Sequence, residues 1–341
     1  MERVNVSLNF MPAFYAKHLG LSYGEAYYFD PGHRARVERA EGRFLFETLG
    51  RYGAGSPAPQ PSPSVFVQTV DLVMRTQGAE WRFPPDATVE SCGVPWRGLT
   101  PEQVAAIDPR AAAHHPVVDA LLAQYRELER MYGEKADILG TKSGTMTIHT
   151  PYTTAHQLCG EELFVTMMTD PDGARRISAK VWEIYEAIYA RITAVTGARL
   201  TRIHMGDCAA SLLSLRTYRE VVLPVNVALA SRFESAGYHS CGRSSHLLPA
   251  FRVLPKVDLI QLGAGTDLAE SARLFPRVHL QPLVDPLLVL AGDPDAVRRS
   301  VEGILRETSP APAVTLCAWS FDRDTPLENV SAMYDTVQRH K

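Results

Sequence analysis

The chain has 341 residues, 45% hydrophobic and 21% charged, with 35 lysines and arginines against 38 aspartates and glutamates. This is ordinary globular composition, and it excludes a disordered chain, a collagen-like chain and a basic nucleic-acid-binding domain. A formal charge of −3 gives no general attraction to phosphate backbones or anionic lipid, and no apolar run approaches the ~18 residues of a membrane span, so neither nucleic acid nor a membrane is an expected partner.

In chain order, the opening MERVNVSLNFMPAFYAKHLG lacks the unbroken apolar stretch of a signal peptide, which predicts a cytoplasmic protein. The segment 33–50 has helical character, with Val37, Phe44 and Leu45 among charges and Gly50 as its stop. GAGSPAPQPSPS, residues 53–64, cannot continue a helix and reads as an extended connector. Residues 1–60 are therefore expected to form a helical appendage on a main body at 65–341, the whole making one domain.

Beyond the connector, short β-rich runs alternate with amphipathic stretches. The strand candidates are 65–71, 136–143, 202–208, 237–242, 257–263, 277–283 and 313–319, with one more strand hidden. Between them, Asp170-Pro171-Asp172 starts a long helix whose apolar residues recur from Ile177 to Val195 and which stops at Gly197. Residues 214–237 read as a helix kinked by Pro224, and 293–308 as a capped helix. Seven or eight such units predict an α/β fold: a (β/α)8 TIM barrel with N-terminal helical additions.

Barrel enzymes place their chemistry at the C-terminal ends of strands. There, His239 and Cys241 stand two apart on one predicted strand and project to one face. Cys317, at the end of the last predicted strand, could return to the same barrel mouth. One nitrogen and two sulfurs suit tetrahedral Zn²⁺ with one position left open; alternatively, His239 is a hydrogen-bonded core histidine and the cysteines are packing residues. Asp207, at the end of another strand, either orients a histidine or substrate or serves as a cap, and Asp71 has the same two readings. The five cysteines form no disulfide framework in a chain without an export signal. The run Gly140 to Thr145 lacks the order of a phosphate loop, His114-His115 reads as surface, and His246 is a weak competitor as ligand.

Five stretches together resemble the uroporphyrinogen decarboxylase superfamily and, within it, the zinc-dependent corrinoid methyltransferases. They are TPYTTAHQLCGEELFVTMMTDPDGARR (150–176), GDCAASLLSLRTYREVVLPV (206–225), YHSCG (238–242), VDLIQLGAGTDLAES (257–271) and DTPLENVSAMYDTV (324–337). The resemblance implies a barrel in which His239, Cys241 and Cys317 bind zinc as a His-x-Cys pair and a distant cysteine. The family's further acidic ligand is replaced by Gly263, and the loop after Cys317, containing Trp319 and Phe321, is about two residues longer than usual.

The implied function is methyl transfer between a corrinoid (methylcobalamin on a partner corrinoid protein) and a small thiol held as zinc thiolate, with Asp207 and Asp71 as positioning or substrate-binding carboxylates. The alternatives are a folate acceptor, a tetrapyrrole decarboxylase without zinc and a zinc-stabilised barrel that only binds a corrinoid. The sequence does not fix an oligomeric state.

Overall fold

The computed structural model describes residues 4–65, 67–133 and 136–340. Seven parallel-type strands follow in chain order: β1 Val4–Phe10, β2 Thr145–His149, β3 Arg202–Gly206, β4 Ser235–Ser240, β5 Val257–Leu262, β6 His279–Pro282 and β7 Val314–Phe321. The helices that matter below are α1 Pro31–Leu49, α2 Thr69–Thr76, α3 Pro116–Tyr132, α4 Pro151–Cys159, α5 Pro171–Thr196, α6 Leu223–Ser231 and α7 Pro294–Glu307. The chain forms two compact units, one of residues up to 62, 83–89 and 260 onward, the other of 63–82 and 90–259. The change from one to the other falls inside β5.

In the first unit, β1 runs parallel to β7, pairing Val4 with Val314 and Ser7 with Cys317, and β6 pairs with the other side of β7. This corrects the expectation of a purely helical N-terminal segment: VNVSLNF alternates well enough to pair, but its asparagines and serine hid the strand. Residues 1–3 of that segment lie outside the described residues. The length expected as a loop after Cys317 is instead strand. Leu8 pairs with Ala318 and Phe10 with Phe321, so β7 carries one extra residue, taken up as a bulge with Ser320 at φ 63°. α1 follows the predicted span, with Asp30 accepting from the N–H groups of Gly32 and His33 at its start.

In the second unit, β2, β3 and β4 are parallel neighbours. His149 is level with Gly206, and Gly206 with His239. β2 lies beyond the strand candidate at 136–143, of which only Asp137–Ile138 is strand. The candidate at 65–71 is also corrected. Strand structure ends at Val65, Phe66 lies outside the described residues, and Asp71 sits in the first turn of α2. The β-branched residues of VFVQTVD were outweighed by the apolar helical face that Leu72, Val73 and Met74 bury.

α5 follows its predicted pattern from the Asp170 cap, which accepts from the Gly173 N–H, to Gly197 in the left-handed region at φ 66°. At Pro224 the missing N–H is absorbed by a π-helical turn over Tyr218–Val222, and α6 ends at Ser231, before β4 begins. Among the described residues, no helix is long and apolar enough to cross a membrane.

Candidate metal centre at the ends of β3 and β4

Alternation along β4 separates two functions. Tyr238 is turned into the core and its hydroxyl donates to Asp207 at 2.6 Å, while its neighbour His239 is turned to the other face. There the His239 Nε2 lies 2.8 Å from the Cys241 Sγ, so the structure brings together the pair that the i, i+2 spacing predicted. A second sulfur, which sequence reasoning did not count as a ligand, stands beside them. The Sγ of Cys208, two residues beyond the end of β3, is 3.0 Å from that of Cys241. The donor atoms of Cys208, His239 and Cys241 all lie within 4.8 Å of one another.

Cys208 follows Gly206 by two residues at the end of the strand beside β4, and Gly242 after Cys241 marks a close approach. A Cβ on Gly242 would lie 2.3 Å from the Ser211 Oγ, so the turn carrying Cys241 packs directly on the turn that follows Cys208. The Cys208 thiol holds the Cys241 thiol down to about 5, against the raising effect of burial and with help from His239. Cys208 itself is pushed up by its hydrogen bond to Cys241 and by burial.

Two further imidazoles border this face. Burial, followed by the charge of His239, depresses His149 on β2 and His204 on β3, each to about 4. Glycines make room for both. A Cβ on Gly237 would lie 2.4 Å from the His204 Nδ1, and one on Gly206 would lie 3.4 Å from the His149 Cδ2.

Asp207 is 0% exposed. Its carboxylate accepts from the Thr150 and Thr153 hydroxyls at 2.8 and 3.0 Å, from Tyr218 at 3.2 Å, from Tyr238 at 2.6 Å and from the Asn226 amide at 3.1 Å. Burial raises its pKa against the lowering effect of these donors. Its backbone N–H donates to the His239 carbonyl at 2.7 Å. Asp71 has other partners: its Oδ1 accepts from the Ser91 hydroxyl at 2.7 Å, its carbonyl from the Trp81 indole at 3.1 Å, and burial raises its pKa.

Cys317 belongs to the other unit. It is 1% exposed on β7, its Sγ is 3.9 Å from the Gln281 Oε1, and burial pushes its thiol up to about 12. The segment Gly140 to Gly144 is a turn leading into Thr145 of β2, and its Gly140 and Lys142 N–H groups are taken by the Asp137 carboxylate, at 3.1 and 2.8 Å. His115 caps α3 by accepting from the Val117 N–H, and the His246 Nε2 lies 2.9 Å from the Leu213 carbonyl.

Residues 74–340 match the uroporphyrinogen decarboxylase (URO-D) family. The chain belongs to that family. Over 195 residues it is 30% identical to the methylated-thiol--coenzyme M methyltransferase of Methanosarcina mazei, a match covering 53% of this chain and 49% of the relative. The chain thus spans about half the length of that curated relative. A solved structure described as a methyltransferase from Methanosarcina mazei superposes with a TM-score of 0.67 at 17% identity, covering 100% of this chain and 95% of the other. That likeness shows the fold, and the α/β barrel expected from the sequence is the fold of this URO-D family chain.

Proposed function

We propose that this URO-D family chain is a zinc-dependent methyltransferase that moves a methyl group between a corrinoid and a thiol acceptor. The observation that carries the reading is the meeting of His239 and Cys241, an imidazole nitrogen and a thiol sulfur 2.8 Å apart at a strand end. This donor set fits zinc in type, and Cys241 is exposed while His239 is only half-buried, as a site that admits a substrate requires. The name of the M. mazei relative, a methylated-thiol--coenzyme M methyltransferase, supports methyl transfer involving a thiol.

His239 on β4 and Cys241 just beyond its end are the proposed ligands, and Cys317 joins them through the family resemblance alone. Zinc bound there supplies one chemical service, stabilising an acceptor sulfur as thiolate near neutral pH. The protein's own residues do the rest. Asp207 acts as a positioning residue: five side-chain donors fix it, and its N–H fixes the His239 carbonyl, which holds the backbone from which the imidazole projects. Asp71 is the proposed contact for a polar group of the substrate. The corrinoid is assigned to a separate protein as co-substrate. A decarboxylase using Asp207 against pyrrole nitrogens is less well supported, since that carboxylate is already surrounded by donors.

The test is demethylation of methylcobalamin by zinc-loaded protein with a panel of thiols, followed by absorbance. Thiol-dependent turnover that disappears in Cys241→Ala supports the proposal; equal turnover in that variant overturns it. Turnover with tetrahydrofolate but no thiol would move the acceptor to a folate, and bound zinc without any transfer would leave a binding protein.

A further inference from the structure

The resemblance takes its sulfur ligands from β4 and β7, yet the sulfur nearest to Cys241 is that of Cys208. We infer that Cys208 is an additional metal ligand, one that an acceptor thiol displaces where Cys317 completes a set of four, so that the unit of residues 63–82 and 90–259 carries one nitrogen and two sulfurs of its own at the ends of β3 and β4. The inference deepens the proposed function and rests on it for the identity of the metal.

The geometry is that of ligands around one small ion. With Zn–S bonds of about 2.3 Å and Zn–N bonds of about 2.0 Å, tetrahedral ligand atoms stand roughly 3.5–3.8 Å apart. Here the Cys241 Sγ is 2.8 Å from the His239 Nε2 and 3.0 Å from the Cys208 Sγ, and no two of the three donor atoms are more than 4.8 Å apart. Small rotations about the side-chain bonds open the two short contacts to ligand spacing.

The supports of Cys208 are as firm as those of His239. The preceding residue, Asp207, is held through its carboxylate by Thr150, Thr153, Tyr218, Tyr238 and Asn226, and its N–H ties the end of β3 to the His239 carbonyl. The following turn is held by the Thr153 hydroxyl, which accepts from the Ala209 N–H at 3.3 Å, and by the packing of Gly242 on Ser211. A cysteine kept only for packing has no need of a second sulfur and an imidazole at such distances. Both cysteines have solvent access, Cys241 being exposed and Cys208 half-buried, so an ion can reach them.

The test uses the full-length reduced apoprotein titrated with Co²⁺ as a spectroscopic probe. Wild type is compared with Cys208→Ser, Cys241→Ser, Cys317→Ser and, as control, Cys92→Ser. The sulfur-to-cobalt absorption band of Cys208→Ser should fall by one thiolate's share, to about two thirds of wild type if Cys317 also ligates and about one half if it does not. Its cobalt affinity should fall at least about tenfold, and Cys92→Ser should match wild type. A second measurement needs no variant: bound Zn²⁺ should protect Cys208 from iodoacetamide together with Cys241, as read by peptide mass spectrometry. Wild-type cobalt binding with an unchanged band in Cys208→Ser, or zinc protection of Cys241 but not of Cys208, overturns the inference and leaves the proposed function standing. A Cys208–Cys241 disulfide in metal-loaded protein overturns it as well. Absence of metal binding by wild type overturns both.

Discussion

The backbone N–H of Asp207 donates to the carbonyl oxygen of His239 at 2.7 Å, tying the backbone that carries a fully buried carboxylate to the backbone that carries the imidazole of the candidate metal centre. Through that one bond the packing of α4 and α6 behind the sheet reaches the site, because Thr150 and Thr153 at the start of α4 and Asn226 on α6 all donate to the Asp207 side chain.

Removing this carboxylate should therefore cost both stability and metal affinity. Asp207→Ala leaves several buried donors without an acceptor, an expected loss of roughly 3 kcal/mol or more in urea unfolding. Asp207→Asn keeps an acceptor oxygen and should lose less. A metal affinity unchanged in a folded Asp207→Ala would show that the Asp207 carboxylate does not help to position His239.

Gly237→Ala places a methyl group 2.4 Å from the His204 Nδ1 if nothing moves. The strand or the imidazole must shift, and overpacking of this kind costs about 1–3 kcal/mol. Since β4 also carries His239, zinc affinity should fall with stability. A melting temperature equal to that of wild type would show that His204 has room the structure does not give it.

Glu41, in the other unit, supplies the pH dependence. Burial, opposed by the Tyr23 hydroxyl and reinforced by Glu38, raises its carboxyl from 4.5 to about 7. The folded protein then holds a proton on Glu41 that the unfolded chain has released, so the contribution of Glu41 to stability is full below 4.5, falls as pH rises to about 7 and is level above it, opposite in sign to that of the buried His149 and His204. The fall attributable to Glu41 is about 3 kcal/mol. Glu41→Gln, which cannot ionise, should lack that fall when urea midpoints are compared at pH 5 and pH 8; an identical slope in the variant would contradict the assignment.

The Asp71→Asn variant separates substrate binding from metal binding. The proposed role predicts an acceptor KM raised about tenfold with kcat and zinc content little changed, the pattern of a lost uniform contact. A fall in kcat alone would place Asp71 in the chemical step instead.

The parts of the fold that the sequence made legible are those where local pattern and tertiary role agree. The Asp170 cap, the 3.6-residue apolar repeat and Gly197 all specify α5, and the β-branched and alternating runs specify β3, β5 and β7. β1 and β2 escaped because asparagine and serine interrupt the alternating apolar residues of VNVSLNF, and threonine and histidine leave TMTIH only two apolar residues. Asp71 was assigned to a strand because a β-branched run precedes it, whereas the helix is set by burial of the residues that follow. At the site, His239 and Cys241 were legible because period 2 is a property of one strand. Cys208 was not, because its nearness to Cys241 depends on the register of β3 against β4, in which Gly206 is level with His239.

The central claim is that His239 and Cys241 hold a zinc ion that the reaction needs, and elemental analysis of purified protein prepared without chelator tests it most directly. The account predicts about one zinc per chain in wild type and loss of that zinc from the doubly substituted Cys241→Ser, Cys317→Ser protein, with the fold retained by circular dichroism. Wild-type protein free of zinc, or the same zinc content in both, would contradict it.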